Sequence, residues 1–225
     1  MIFSFDFERY SCYTVRYFDK DKNEWNIPEY FEASDVALRP DGHVMYVVFD
    51  STFQIGIFCT WQAVRTRNCV NKLLDWPNEI FYKAESEFEG ISYNSLKDTY
   101  YVIQETIPSE VSPCEYNSNV FEIQITTDDL YSPINVLESC KVNWTFDSSN
   151  KGFEGIAVMI HQKSGKSYLL ALCEANRCTI HSMTDQQAGN LGNGRLVVLE
   201  KHEANHESKS TVVRRKQACF SHQWC

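Results

Sequence analysis

An all-β chain built as a β-propeller, with about three four-stranded blades and part of another, is the fold this sequence predicts. Three observations lead there. The segment Phe88-Glu89-Gly90-Ile91-Ser92 returns as Phe153-Glu154-Gly155-Ile156-Ala157. Each copy opens a strand pair that closes on an acid, Tyr100 to Glu105 in one and Tyr168 to Glu174 in the other. A weaker copy runs upstream from Ser34-Asp35-Val36-Ala37 to Tyr46-Val47-Val48-Phe49-Asp50. Ser34 to Asp50 is 16 residues and so is Glu89 to Glu105, while Glu154 to Glu174 is 20, with the extra residues in a turn at Gln162 to Lys166. A unit without helix signals that recurs after 55 and then 65 residues points to radially repeated sheets.

The elements follow in order. Residues 1–30 read as the outer strands of a preceding blade, with a turn at Asp19-Lys20-Asp21-Lys22-Asn23. The blade at 34–85 holds the turn Arg39-Pro40-Asp41-Gly42, a strand from His43 to Asp50, and then Phe53, Ile55 and Ile57 alternating with Gln54 and Gly56. In the blade at 88–146, Phe121, Ile123 and Ile125 alternate with Glu122, Gln124 and Thr126. Its last strand turns Val142, Trp144 and Phe146 inward and Lys141, Asn143 and Thr145 outward. The blade at 153–213 includes the tight turn Asn193-Gly194 ahead of Arg195 to Leu199. Residues 200–218 are polar, the strand pattern stops after Val213, and 214–225 are expected to form a frayed tail. Closed propellers have about four to eight blades. Three blades and a remnant therefore imply a piece of a longer protein, a truncated reading frame, or a chain that closes by association, since an open array leaves exposed edges.

Composition bounds the function. With 43% hydrophobic and 14% aromatic residues the chain can fill a core, which argues against disorder. A net charge of −9 argues against a nucleic-acid partner, which needs a basic footprint. The same charge suits a cation in an acidic pocket, or a solvated surface. No stretch reaches the roughly 18 apolar residues of a membrane span. Met1 to Tyr10 carries Asp6, Glu8 and Arg9, so it is not a secretory signal core. Nine cysteines are many for a reduced compartment, and no C-x2-C pair offers a zinc site. Cys173 and Cys178 flank a short loop that a disulfide would close. Asn143-Trp144-Thr145 is a glycosylation sequon whose Asn143 is expected to face solvent. Together these favour an extracellular or secretory-pathway protein.

Candidate chemistry lies mainly in the repeated acids. Glu89 and Glu154 begin the first strand of their blades, and Ser34 with Asp35 occupies the equivalent place in the weaker copy. Gathered at an axis, Glu89, Glu154 and Asp35 would form a Ca²⁺ site, because that ion takes carboxylate oxygens. The competing reading is a Glu-Gly strand start, with Gly90 and Gly155 allowing close packing. Asp50, Glu105 and Glu174 end the second strands and would line a ligand-binding face, or simply flank turns. His202-Glu203-Ala204-Asn205-His206 matches a zinc-peptidase signature, but it follows a strand and lacks the apolar face of a docked helix. Gly165-Lys166-Ser167 lacks the first glycine of a phosphate loop. No G-x-S-x-G elbow is present.

The run Asn150-Lys151-Gly152-Phe153-Glu154-Gly155-Ile156-Ala157, then Leu170 to Cys178, then Gly192 to Glu200, resembles the phytase-like (esterase-like activity of phytase) and SdiA-regulated β-propeller proteins. There an E-G-[IL]-[AS] opening recurs from blade to blade. The resemblance covers about residues 34–200. It implies a six-bladed or similar propeller, often exported, with Ca²⁺ at the axis in some relatives. By position it makes Glu89 and Glu154 candidate axial carboxylates, whereas Ser34-Asp35 departs from the Glu-Gly pattern. The expected function is a secreted propeller that binds a protein or small-molecule ligand. The alternative is a Ca²⁺-dependent phosphoesterase or lactonase-type hydrolase.

Overall fold

The computed structural model describes residues 17–19, 24–26, 32–60, 71–77, 86–109, 115–126, 134–146, 152–173, 195–202 and 219–223. Every regular element among them is a strand. A hairpin pairs β1 (Tyr17–Asp19) with β2 (Glu24–Asn26). The first four-stranded meander comprises β3 (Ala33–Leu38), β4 (Val44–Phe49), β5 (Gln54–Cys59) and β6 (Lys72–Asp75). The second comprises β7 (Phe88–Asn94), β8 (Thr99–Pro108), β9 (Tyr116–Ile125) and β10 (Ile134–Phe146). The third comprises β11 (Phe153–Ile160), β12 (Ser167–Cys173), β13 (Arg195–His202) and β14 (Cys219–Gln223). Neighbours within each meander are antiparallel. The second and third also meet at their far edges, where β10 and β14 run parallel with Val142 opposite Phe220.

The expected all-β class and the strand groups are therefore present, with one shift. The fourth strand of the third meander is β14, within the 214–225 segment expected to be a frayed tail. Single-chain alternation over Cys219–Gln223 is too short to announce a strand, and pairing with β13 creates it.

Local chemistry explains the turns. Gly42 takes φ 74° in the predicted Arg39–Gly42 turn, where its N–H donates to the Arg39 carbonyl at 2.8 Å. Asp41 holds the Arg39 guanidinium and accepts the His43 N–H. In β10, Val142, Trp144 and Phe146 are buried and Asn143 is exposed, as the alternation requires.

The lead strands β3, β7 and β11 stand side by side with β7 in the middle. Each begins with a bulge at the same place. Ala33 pairs with Phe49 and Asp35 with Val48; Phe88 pairs with Gln104 and Gly90 with Ile103; Phe153 pairs with Cys173 and Gly155 with Leu172. The extra residues are Ser34, Glu89 and Glu154, so the three sequence copies are structural equivalents. Asp35 ties β3 to β7 by accepting the Ile91 N–H at 2.9 Å, and Ser92 ties β7 to β11 by accepting the Val158 N–H at 2.9 Å.

Two cores fill the spaces between sheets. Between the first and second, Trp76 lies 4.7 Å from Phe88 and 5.0 Å from Phe121, with Tyr46 and Val48 beside them. Between the second and third, Phe153 packs on Phe146 at 5.3 Å, with Ile103, Leu169 and Leu199. A charged clasp closes the second space. Buried Glu122 on β9 accepts from Lys97 at 2.9 Å and from Lys201 of β13 at 3.3 Å, and Lys201 also pairs with Glu138. Burial pushes the Glu122 carboxyl up, but the two lysines outweigh it and hold the carboxyl below its usual range.

Between the lead strands of the second and third sheets, glycine packs against glycine. A Cβ on Gly90 would sit 2.7 Å from the Ile156 nitrogen and 2.9 Å from the Gly155 Cα. Backbone cannot yield as a side chain does, so Gly90→Ala is expected to cost about 1–3 kcal/mol. Chemical denaturation checks this; unchanged stability would mean that the two lead strands are not in contact.

Candidate functional site

The bulges matter because an extra residue re-aims its side chain. At the start of the lead strands they bring the repeated acids to one end of the sheet stack. Ser34 and Asp50, the residue that follows β4, both act on the Glu89 carboxyl. Glu154 and Glu105 are near enough for their charges to act on Glu89, and Glu32 and Glu87 act on Asp50.

Repeated backbone bonds hold this end together. The Asp50 N–H donates to the Glu32 carbonyl at 2.9 Å, and the Glu105 N–H donates to the Glu87 carbonyl at 2.7 Å. These are the same bond made one repeat apart. The Glu87 N–H in turn reaches the Asp50 carbonyl at 2.7 Å, with Glu87 in the left-handed region at φ 50°. Its carboxylate accepts from Thr106 at 2.8 Å. Ser86, wholly buried, donates toward the carbonyls of Phe49 and Asp50.

Burial raises the Glu89 carboxyl to about 8, the charges of Asp50, Glu154 and Glu105 push it the same way, and only the Ser34 hydrogen bond opposes them. Asp50 is raised as well, first by burial and then by the charges of Glu87 and Glu32, while its hydrogen bond with Glu89 lowers it. The physical picture is a coupled group of carboxyls in which burial and like charge favour the protonated form of Glu89.

The expected residues thus divide by role. Glu89, Glu154 and Asp50 share the acidic end. Ser34, rather than Asp35, is the bulge equivalent of the two glutamates. Both Asp35 carboxylate oxygens accept backbone N–H groups, from Val36 at 2.8 Å and from Ile91 at 2.9 Å. Glu105 is nearly fully buried, and its Oε1 accepts the Gly152 N–H at 2.8 Å, which joins the second sheet to the start of the third. Its place is structural first. Among the described residues, no group of three or more His, Cys, Asp or Glu has a metal-holding arrangement. Glu174, Cys178 and His206 lie outside the described residues. His202 ends strand β13, so the zinc-peptidase pattern starts on a strand. Cys59 and Cys173 are disulfide-bonded. Among the described residues no helix is long and apolar enough to cross a membrane.

The sequence reading missed Ser86, Glu32 and Glu87. No motif marks them, though each stands one or two residues ahead of a lead strand and position within the repeat would have found them.

Glu89 ionises near 4.5 when unfolded and near 8 in the fold. Its contribution to stability is therefore complete below about pH 4.5 and is lost as pH rises through about 8. Glu89→Gln removes that dependence. Thermal melts should show variant and wild type alike near pH 5 and the variant more stable above pH 8; parallel profiles would refute the buried pair. No family model, curated protein or solved structure matches this chain.

Proposed function

We propose that this chain is a β-propeller-type binding protein of the secretory pathway, and that it takes a cationic ligand or partner at the acidic end of its lead strands. One observation carries the reading. Three equivalent bulges present Ser34, Glu89 and Glu154 at one end of three neighbouring sheets, and there Glu89 keeps a proton that bare solvent would remove. A carboxyl pair forced to share a proton is relieved by an incoming cation, which takes the proton's place. The disulfide-bonded Cys59 and Cys173 support an oxidising compartment, and the exposed Asn143 sequon is compatible with it.

A second reading has its own support. Half-buried carboxyls gathered at one end suit a hard cation with oxygen ligands, which would displace the Glu89 proton, so a Ca²⁺-dependent phosphoesterase or lactonase-type hydrolase stays as the alternative. In that case Glu89 and Glu154 hold the ion.

Calorimetric titration separates the readings, using Ca²⁺ and an arginine-rich peptide as probes in two buffers of different ionisation heat. Binding should release protons below about pH 8 and weaken at least tenfold in the Glu89→Gln, Glu154→Gln double variant. Peptide binding without Ca²⁺ binding supports the partner-binding role. Ca²⁺ binding with proton release supports the metal. Neither probe binding, or an unchanged affinity in the double variant, removes the acidic end as a site.

A further inference from the structure

Among the described residues the same sheet-to-sheet interface is made twice, and both of its halves are left exposed, one on the first sheet and one on the third. Val48, Ile103 and Leu172 share one position, each paired with the residue after a bulge. Val48 and Ile103 are 0% exposed, covered by the following sheet, whereas Leu172 is 49% exposed. Ile55, Val120 and Leu196 are their partners on the third strands. The first two are 0% and 1% exposed, and Leu196 is 64% exposed. The opposite face shows the reverse pattern. Val36, Ile91 and Ile156 are equivalents that face the preceding sheet, and their exposures are 52%, 3% and 8%. Glycine agrees with leucine. Gly90 is jammed against the next lead strand, while a Cβ on its equivalent Gly155 would meet nothing within 4 Å.

We propose that a second copy of this chain supplies both missing halves, with the third sheet of each copy packed on the first sheet of the other. The inference rests on reading the three sheets as propeller blades. Two copies, each contributing its three described four-stranded sheets, then close one ring of six, within the range of about four to eight that propellers adopt; three copies would overshoot it. The occupant is argued from continuity. The open face around Leu172 and Leu196 has the register, the aliphatic character and the glycine of a surface that the chain already buries twice, and the surface it would meet is the Val36 and Leu38 face of the same chain. The contact is face to back, so closure rather than a self-complementary patch is what limits assembly to two.

Light scattering coupled to gel filtration, run on the full chain, tests this. The wild type should elute at twice the chain mass. Gly155→Val places its new side chain in open space within one copy, so it should keep the β-sheet circular dichroism and the melting profile of a single chain while weakening the dimer about 100-fold or more. Leu172→Glu and Val36→Lys should each be monomeric and should pair when mixed, because mixing leaves one native interface and one oppositely charged interface. A wild type that is monomeric at every concentration, or a Gly155→Val dimer of wild-type affinity, overturns the proposal. Either result leaves the acidic end to be judged by its own titration.

Discussion

Everything in this structure depends on how closely the lead strands approach one another. Gly90 lies with its Cα against the backbone of Gly155 and Ile156, closer than any side chain would permit. That approach sets the spacing of the sheets at their inner edge. Large rings such as Trp76, Phe88 and Phe121 fill the space between the first and second sheets.

The same crowding explains the acids. A bulge at the head of each lead strand turns one residue out of the ladder toward the shared end, and the glycine after it lets the neighbouring strand come in. Glu89 is then half-buried among like charges, which favours its protonated form. A fold selecting only for stability would place an apolar or hydroxyl residue there, as the first sheet does with Ser34. Keeping Glu89 is a standing cost that ligand binding would offset.

The clasp of Glu122 with Lys97 and Lys201 is a contrasting case. There the buried acid meets two cations, and its carboxyl falls below the usual range despite burial. Two acids in one molecule are thus pushed in opposite directions by their surroundings alone. At Glu89, by contrast, burial and like charges act in the same direction and push the carboxyl up.

Much of this was legible from residue order. Alternation in Lys141 to Phe146, the Arg39–Gly42 turn and the echo of Phe-Glu-Gly-Ile depend on neighbours two to six residues apart, where pleat and turn geometry act directly. These determined the strand class, the grouping into four-stranded units and the equivalence of Glu89 with Glu154. Tertiary structure alone decided that Asp35 serves the Ile91 N–H, that Glu105 serves Gly152, and that Cys219–Gln223 is a strand. Each of those outcomes turns on a partner 17 to 56 residues away, whether Asp35 to Ile91, Glu105 to Gly152 or the β13–β14 ladder. Local sequence carries no record of which distant backbone group will need a hydrogen bond once the sheets have packed, and burial makes meeting that need obligatory.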